Sequence, residues 1–205
     1  MKYLRRLALL GAALALVATA CSSDSSPDEI VLLTHSSFAL SDGTLEAFTE
    51  ETGVTVVVQD GGDAGTMLNQ AILTKDNPIA DVIFGVDNTF LSRAIEEGIF
   101  QPHRAAAIDS VSELIRVQDD LATPVDYGDV CLNYDIAALE ELGIEPPTTL
   151  LDLIDETYRG LLVVQDPATS SPGLAFLLAT IAAFPDGGDL DWTDYWRELF
   201  ANDVS

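Results

Sequence analysis

Short β-branched runs that alternate with amphipathic segments constrain this chain more than any other feature. Residues 30–34, 54–58 and 80–86 read as strands, since each is a continuous apolar run bounded by turn-forming residues. Between them lie helical patterns with their own start and stop signals. Asp42 can cap a helix running through Phe48 to a stop at Gly53, GGDAG at 61–65 opens a helix over 66–75, and Asn88 can cap a helix over 89–97 that Gly98 closes. Alternation of this kind predicts an α/β body with a mainly parallel sheet. In such sheets, ligands bind at the loops that leave the C-terminal ends of the strands.

The second half of the chain changes character. After a weaker helical pattern over 108–118 comes a long extended stretch, TPVDYGDVCLNY at 123–134, with Asp126-Tyr127-Gly128 in its middle. A strand of that length can serve two sheets in turn. A helix over 135–142, a helix capped by Thr148 or Thr149 and reaching Tyr158, and a strand over 161–165 follow. The next helix, 173–184, is apolar nearly all round and therefore expected to be buried. Asp191 or Thr193 starts the last one, where Trp192 and Trp196 stand four apart, a packing face.

The strand-to-helix passage LLVVQDPATSSPGLAFLL, 161–178, carries the clearest binding signal. A helix N-terminus offers unpaired N–H groups and a partial positive charge, so Thr169, Ser170, Ser171 and Gly173 describe a cradle for an anion. The same residues also suit a plain helix cap with proline in the first turn. No base accompanies them, and the chain has no G-x-S-x-G, S-x-x-K or H-E-x-x-H pattern, which points to capture rather than turnover. A secreted hydrolase would have only His35 as a base near a cleft-facing loop. His35 and His103 are far apart and belong to no metal-spaced cluster, so neither a metal nor a cofactor is expected.

The N-terminus places this capture outside the cytoplasm. Lys2, Arg5 and Arg6 precede an apolar run from Leu7 to Thr19, the length of a secretory signal and too short to span a bilayer. The run ends in Val17-Ala18-Thr19-Ala20-Cys21, which resembles a bacterial lipobox with Cys21 as the lipidated residue. Residues 1–20 are then a signal peptide and 21–29 a flexible tether, leaving Cys131 as a buried, inert thiol. With 34 acidic against nine basic residues, three of them in the leader, the surface repels nucleic acid and anionic lipid.

The segments LLTHSSFA, DAGTMLNQ, ADVIFGVDN, PVDYGDVCLNYD and VVQDPATSSPGLAFLL, in that order, resemble the thiamine-binding proteins of bacterial ABC importers. More broadly they are similar to the periplasmic binding proteins for iron, polyamines and phosphonates. The most specific piece is QDPATSSPGL, where the family has QDPRTSTPGL and this chain has Ala168 in place of the arginine.

The resemblance implies a type II periplasmic-binding-protein fold, with two α/β lobes around a ligand cleft: residues 30–124 as the first lobe and 125–205 as an incomplete second one. Thr169, Ser170 and Ser171 would line the seat for the hydroxyethyl or phosphate end of thiamine or a thiamine phosphate, with Asp63, Ala64 and Gly65 approaching the same end. After the first strand the family has Tyr-Asp-Ser-Phe and this chain has His35-Ser36-Ser37-Phe38, which leaves Ser37 as a candidate contact and removes a carboxylate. Asp87 and Tyr127 are candidates to make up part of that loss. The partners implied are an ABC transporter permease and, through Cys21, the membrane. A monomer is expected, either membrane-anchored or periplasmic. Family members run further and carry aromatic side chains that enclose the ligand, so a fragment or a truncated gene is expected.

Overall fold

The computed structural model describes residues 29–205. The expected signal peptide, the expected lipobox with Cys21 and all but the last residue of the expected tether lie outside them. Three strands form one sheet: β1 (Glu29–Thr34), β2 (Thr55–Asp60) and β3 (Val82–Phe84), in the order β2-β1-β3. β1 and β3 run parallel with Leu32 opposite Val82, Leu33 opposite Ile83 and Thr34 opposite Phe84. Asp81 fixes this register from both sides. Its N–H donates to Val31 O at 3.0 Å and its carboxylate accepts from Val31 N at 2.9 Å.

The helices are α1 (Thr44–Thr52), α2 (Ala64–Leu73), α3 (Leu91–Glu96), α4 (Ile136–Leu142), α5 (Ser171–Ala183) and α6 (Trp192–Ala201). Two starts differ from the sequence expectation: Gly43 and Phe90, not Asp42 and Asn88, precede α1 and α3, and neither start has a side-chain cap bond. Asp135, Ser170 and Asp191 accept from backbone N–H groups at the starts of α4, α5 and α6, while Gly53 and Gly143 end α1 and α4 at φ 76° and 68°.

The chain divides into two compact units: one holds Asp42–Val56, and hence α1, with the start of β1; the other holds Val31–Ser41 and Val57–Ser205. The larger unit has two apolar centres. Leu68 of α2 and Phe90 and Ala94 at α3 form one, with Ala64, Ile72, Val86 and Leu174 packed against it. Leu153, Tyr195 and Leu199 form the other, with Phe176, Phe184, Leu162 and Trp196 around them. Trp196 also donates its indole N–H to Thr180 Oγ1 at 2.9 Å, so it belongs to the packing face expected of it.

Four expected elements take other forms. Residues 108–118 form short 3₁₀ turns, Ile108–Ser110 and Glu113–Ile115, followed by Gln118–Asp120, instead of one helix. Ser110 and Ser112 bond to nearby backbone groups there, and Asp119 and Asp120 adopt positive φ, so local side-chain bonds displace the helical ladder. The expected helix ending at Tyr158 is likewise two 3₁₀ segments, Leu151–Ile154 and Glu156–Tyr158. Asp152 accepts from the N–H groups of Thr148 and Thr149 and from Thr148 Oγ1, and these bonds, Thr148's backbone first, hold its carboxyl below the usual range.

The extended stretches 123–134 and 161–165 are not ladder strands. Strand propensity records fit to a pleated, half-buried surface, and no sheet neighbour meets residues 123–134 among the described residues. Val125, Tyr127, Val130, Leu132 and Tyr134 are exposed along it. Cys131, expected buried, is exposed for the same reason. Residues 161–165 meet Ser205 rather than a sheet: Val164 N donates to Ser205 O at 2.8 Å and Ser205 N to Leu162 O at 3.2 Å, and Leu162 packs into the second apolar centre.

Candidate functional site

Two loops meet at the N-termini of α2 and α5. Gly61-Gly62-Asp63 leaves β2, with Asp63 as the N-cap of α2, and Asp166 to Ser170 leads into α5. The junction is made by backbone. Gly65 N, one of the donors a helix start leaves unpaired, donates to Thr169 O at 2.8 Å. A Cβ on Gly65 would stand 2.7 Å from Ala168 O and 3.0 Å from both Thr169 Cα and Phe90 Cζ, so only glycine permits this approach. The first apolar centre supports it from behind through Phe90 and Ala64.

The entry to α5 is organised by Asp166 and Gln165. Asp166 Oδ1 accepts from Ala168 N at 2.9 Å, and its carbonyl accepts from Thr169 N at 3.2 Å and Ser170 N at 2.9 Å. Ser170, buried, accepts from Gly173 N at 3.3 Å and donates to the Gln165 side chain. Gly173 is required there: a Cβ would lie 2.4 Å from Gln165 O. The sequence reading missed Gln165, Asp166 and Phe90. Asp166 could have been found, since an aspartate two residues before its backbone partner marks an Asx turn.

These bonds change the chemistry expected of the cradle. The N–H groups of Ala168, Thr169, Ser170 and Gly173 already have partners within the loop, and Pro172 has no N–H to give. What remains is the Ser171 N–H and the hydroxyl groups. Thr169 Oγ1 reaches Asp63 Oδ2 at 3.5 Å, the outer edge of a hydrogen bond, and Ser171 Oγ is buried with no hydrogen-bond partner among the described residues. The Asp63 carboxylate beside the Thr169 hydroxyl can accept while the hydroxyl donates, a pairing that suits an alcohol or amine.

The structure brings Asp63, Ala64 and Gly65 together with Thr169, Ser170 and Ser171. The remaining candidates stand in other roles. Asp87 Oδ1 accepts from Thr89 N at 3.1 Å and Thr89 Oγ1 at 2.6 Å, which organises the turn before α3. Ser37 is exposed on the turn after β1, and its N–H donates to His35 Nδ1 at 3.2 Å. Tyr127 is 93% exposed on the extended stretch and is not drawn to the junction. Among the described residues no group of His, Cys, Asp and Glu is arranged to hold a metal ion, and no helix is long and apolar enough to cross a membrane.

Comparison with known proteins adds the family. The profile of the bacterial extracellular solute-binding proteins matches residues 77–205. The chain belongs to this family. Its members bind solutes without catalysis. A thiamine-binding periplasmic protein of Brucella abortus is 28% identical over 195 residues, covering 92% of this chain and 56% of its own length. The Escherichia coli protein of the same description is 32% identical over 130 residues, 63% of this chain and 38% of that one. Among solved structures, a periplasmic thiamin binding protein is similar at TM-score 0.66 and 25% identity, over 89% of this chain and 55% of that chain. A periplasmic binding protein of Actinobacillus pleuropneumoniae with fructose-6-phosphate bound shares the fold at TM-score 0.67 and 22% identity, over 86% and 57%. The chain is thus an α/β solute-binding protein that spans about half the length of the relatives it matches.

Proposed function

We propose that this chain is the substrate-binding component of an ABC importer for thiamine or its phosphate esters, exported and anchored through a lipidated Cys21. The observation that carries the reading is the glycine-tight junction of Asp63-Ala64-Gly65 with Thr169-Ser170-Ser171, on a chain 28% identical to a thiamine-binding protein over most of its length. In this reading the junction receives the hydroxyethyl end of the ligand. Thr169 Oγ1 and Ser171 Oγ supply donors, and the Asp63 carboxylate accepts a hydrogen bond from the ligand's hydroxyl. Capture needs no covalent step. Ser37, Asp87 and Tyr127 are proposed as further contacts, with residues 30–124 and 125–205 each supplying one wall.

Isothermal titration of the chain with thiamine, thiamine monophosphate, spermidine and ferric ion tests the assignment. Saturable heat with a thiamine species alone supports it. Heat only with spermidine or iron, or with none of the four, removes the thiamine reading and leaves the family.

A further inference from the structure

We infer that His35 is a proton-sensitive latch on the turn that carries Ser37. The turn leaves β1 at Thr34 and is held at three points: Ser36 N donates to Gly62 O at 2.9 Å, Phe38 N to His35 O at 3.0 Å, and Ser37 N to His35 Nδ1 at 3.2 Å. The last bond exists only while Nδ1 carries a lone pair, that is, in the neutral imidazole with its proton on Nε2. The ring has little freedom to compensate by turning away. It stacks on Phe84 with centroids 6.1 Å apart, and it lies so close over Gly85 that a Cβ there would sit 2.2 Å from His35 Cδ2. Gly85 itself is at φ 107°, a conformation that keeps the position bare. Phe38 packs edge-on to the same Phe84 at 5.1 Å, so both ends of the turn grip one aromatic ring.

Protonation converts Nδ1 from acceptor to donor and sets two N–H groups against each other across the turn. The bonds of Ser36 and Phe38 do not depend on the ring nitrogen, so the release falls on Ser37. Histidine is the side chain that makes such a change between about pH 5 and 8. The groups in contact with the ring are Ser37, Phe84 and Gly85, none of them titratable in that range. Charged residues on the elements around it are Glu29, Asp60, Asp63, Asp81 and Asp87, and Asp81 is engaged by Val31 N. Asp60 is engaged by Gly62 N, Asp63 by Thr169 Oγ1, and Asp87 by Thr89. Coupling of the latch to ligand binding rests on the thiamine reading, in which Ser37 is a contact and an imidazolium would face a cationic ligand.

The test is a pH series of amide NMR spectra of the chain, without and with thiamine, beside His35→Asn. An asparagine at this position supplies an acceptor to the N–H two residues on, as in an Asx turn, and does not titrate. In the unmodified chain the Ser37 amide is expected to follow the titration of the His35 ring. Thiamine affinity is expected to be about three- to tenfold weaker near pH 5.5 than near pH 7.5, the loss of one hydrogen bond. In His35→Asn both dependences flatten. A Ser37 amide that stays fixed while the ring titrates overturns the latch, and thiamine that binds with equal affinity at both pH values overturns its coupling to the ligand. Should Ser37 follow His35 while thiamine binds at neither pH, the latch stands and the ligand assignment falls.

Discussion

Replacing Gly65 by alanine tests the backbone junction on which the site depends. In an unobstructed helix the change would stabilise the chain by about 0.5–1 kcal/mol, because alanine loses less conformational freedom. Here the new methyl group meets Ala168 O at 2.7 Å and Thr169 Cα at 3.0 Å, both backbone atoms that cannot swing aside as a flexible side chain would. Overpacking of that kind costs about 1–3 kcal/mol, and if the loop retreats, the 2.8 Å bond from Gly65 N to Thr169 O goes with it, a further 0.5–1.5 kcal/mol or so. The clash therefore outweighs the helix gain, and a net loss of about 1–3 kcal/mol is expected. Urea unfolding reads this as a lower midpoint at unchanged slope, and thermal unfolding as about 2–4 °C for each kcal/mol lost. Gly128, with nothing within 4 Å of a built Cβ and no positive φ, is the internal control, and Gly128→Ala should be neutral or slightly stabilising. A Gly65→Ala chain as stable as the parent, with thiamine affinity intact, would refute the claim that this junction is tight.

Under the proposed function, Thr169→Val removes the hydroxyl beside Asp63 and keeps the shape, so thiamine affinity by titration should fall about three- to tenfold while stability barely moves; an unchanged affinity removes Thr169 from the proposed site. Asn202→Ala strips two donors from Leu153 O and Asp155 O, at 3.1 and 2.8 Å, and should cost about 1–3 kcal/mol in urea, a shift below about 0.5 showing that water replaces it freely. Asp191 caps α6, and its bonds with Thr193, then with Asp194 N, hold its carboxyl below the usual range. The sign is that of a depressed acid: the contribution is complete above the unfolded value and lost as pH falls through the folded one. Asp191→Asn, which still accepts from Asp194 N, should therefore show a shallower acid loss of stability, and parallel acid curves would discard the cap's role.

The first hundred residues were the most legible part of the chain. Their strands and helices come from local codes, β-branched runs and helical periodicity with a glycine stop at Gly53, and these act over a few residues. The loops off β2 and before α5 could be picked out for the same reason. Residues 123–134 and 161–165 show where that reading stops, because a strand exists only with a neighbour, and the neighbour is a matter of distant chain. The helices expected near 108–118 and before Tyr158 failed on competition: serine and aspartate side chains took the backbone groups a helix needs.

The site divides in the same way. The amino-acid sequence by itself determined the α/β class, the positions of the helix starts, and the hydroxyl residues at one of them, since each follows from short-range conformational preference. Only the tertiary structure decided that Gly65 meets Thr169 backbone to backbone, and that the loop's own carbonyl and carboxylate occupy most of the N–H groups an anion would use. It also placed Asp63 beside the remaining hydroxyl. A hydrogen bond is satisfied by whichever partner arrives, and residues about a hundred positions apart arrive together only through the fold.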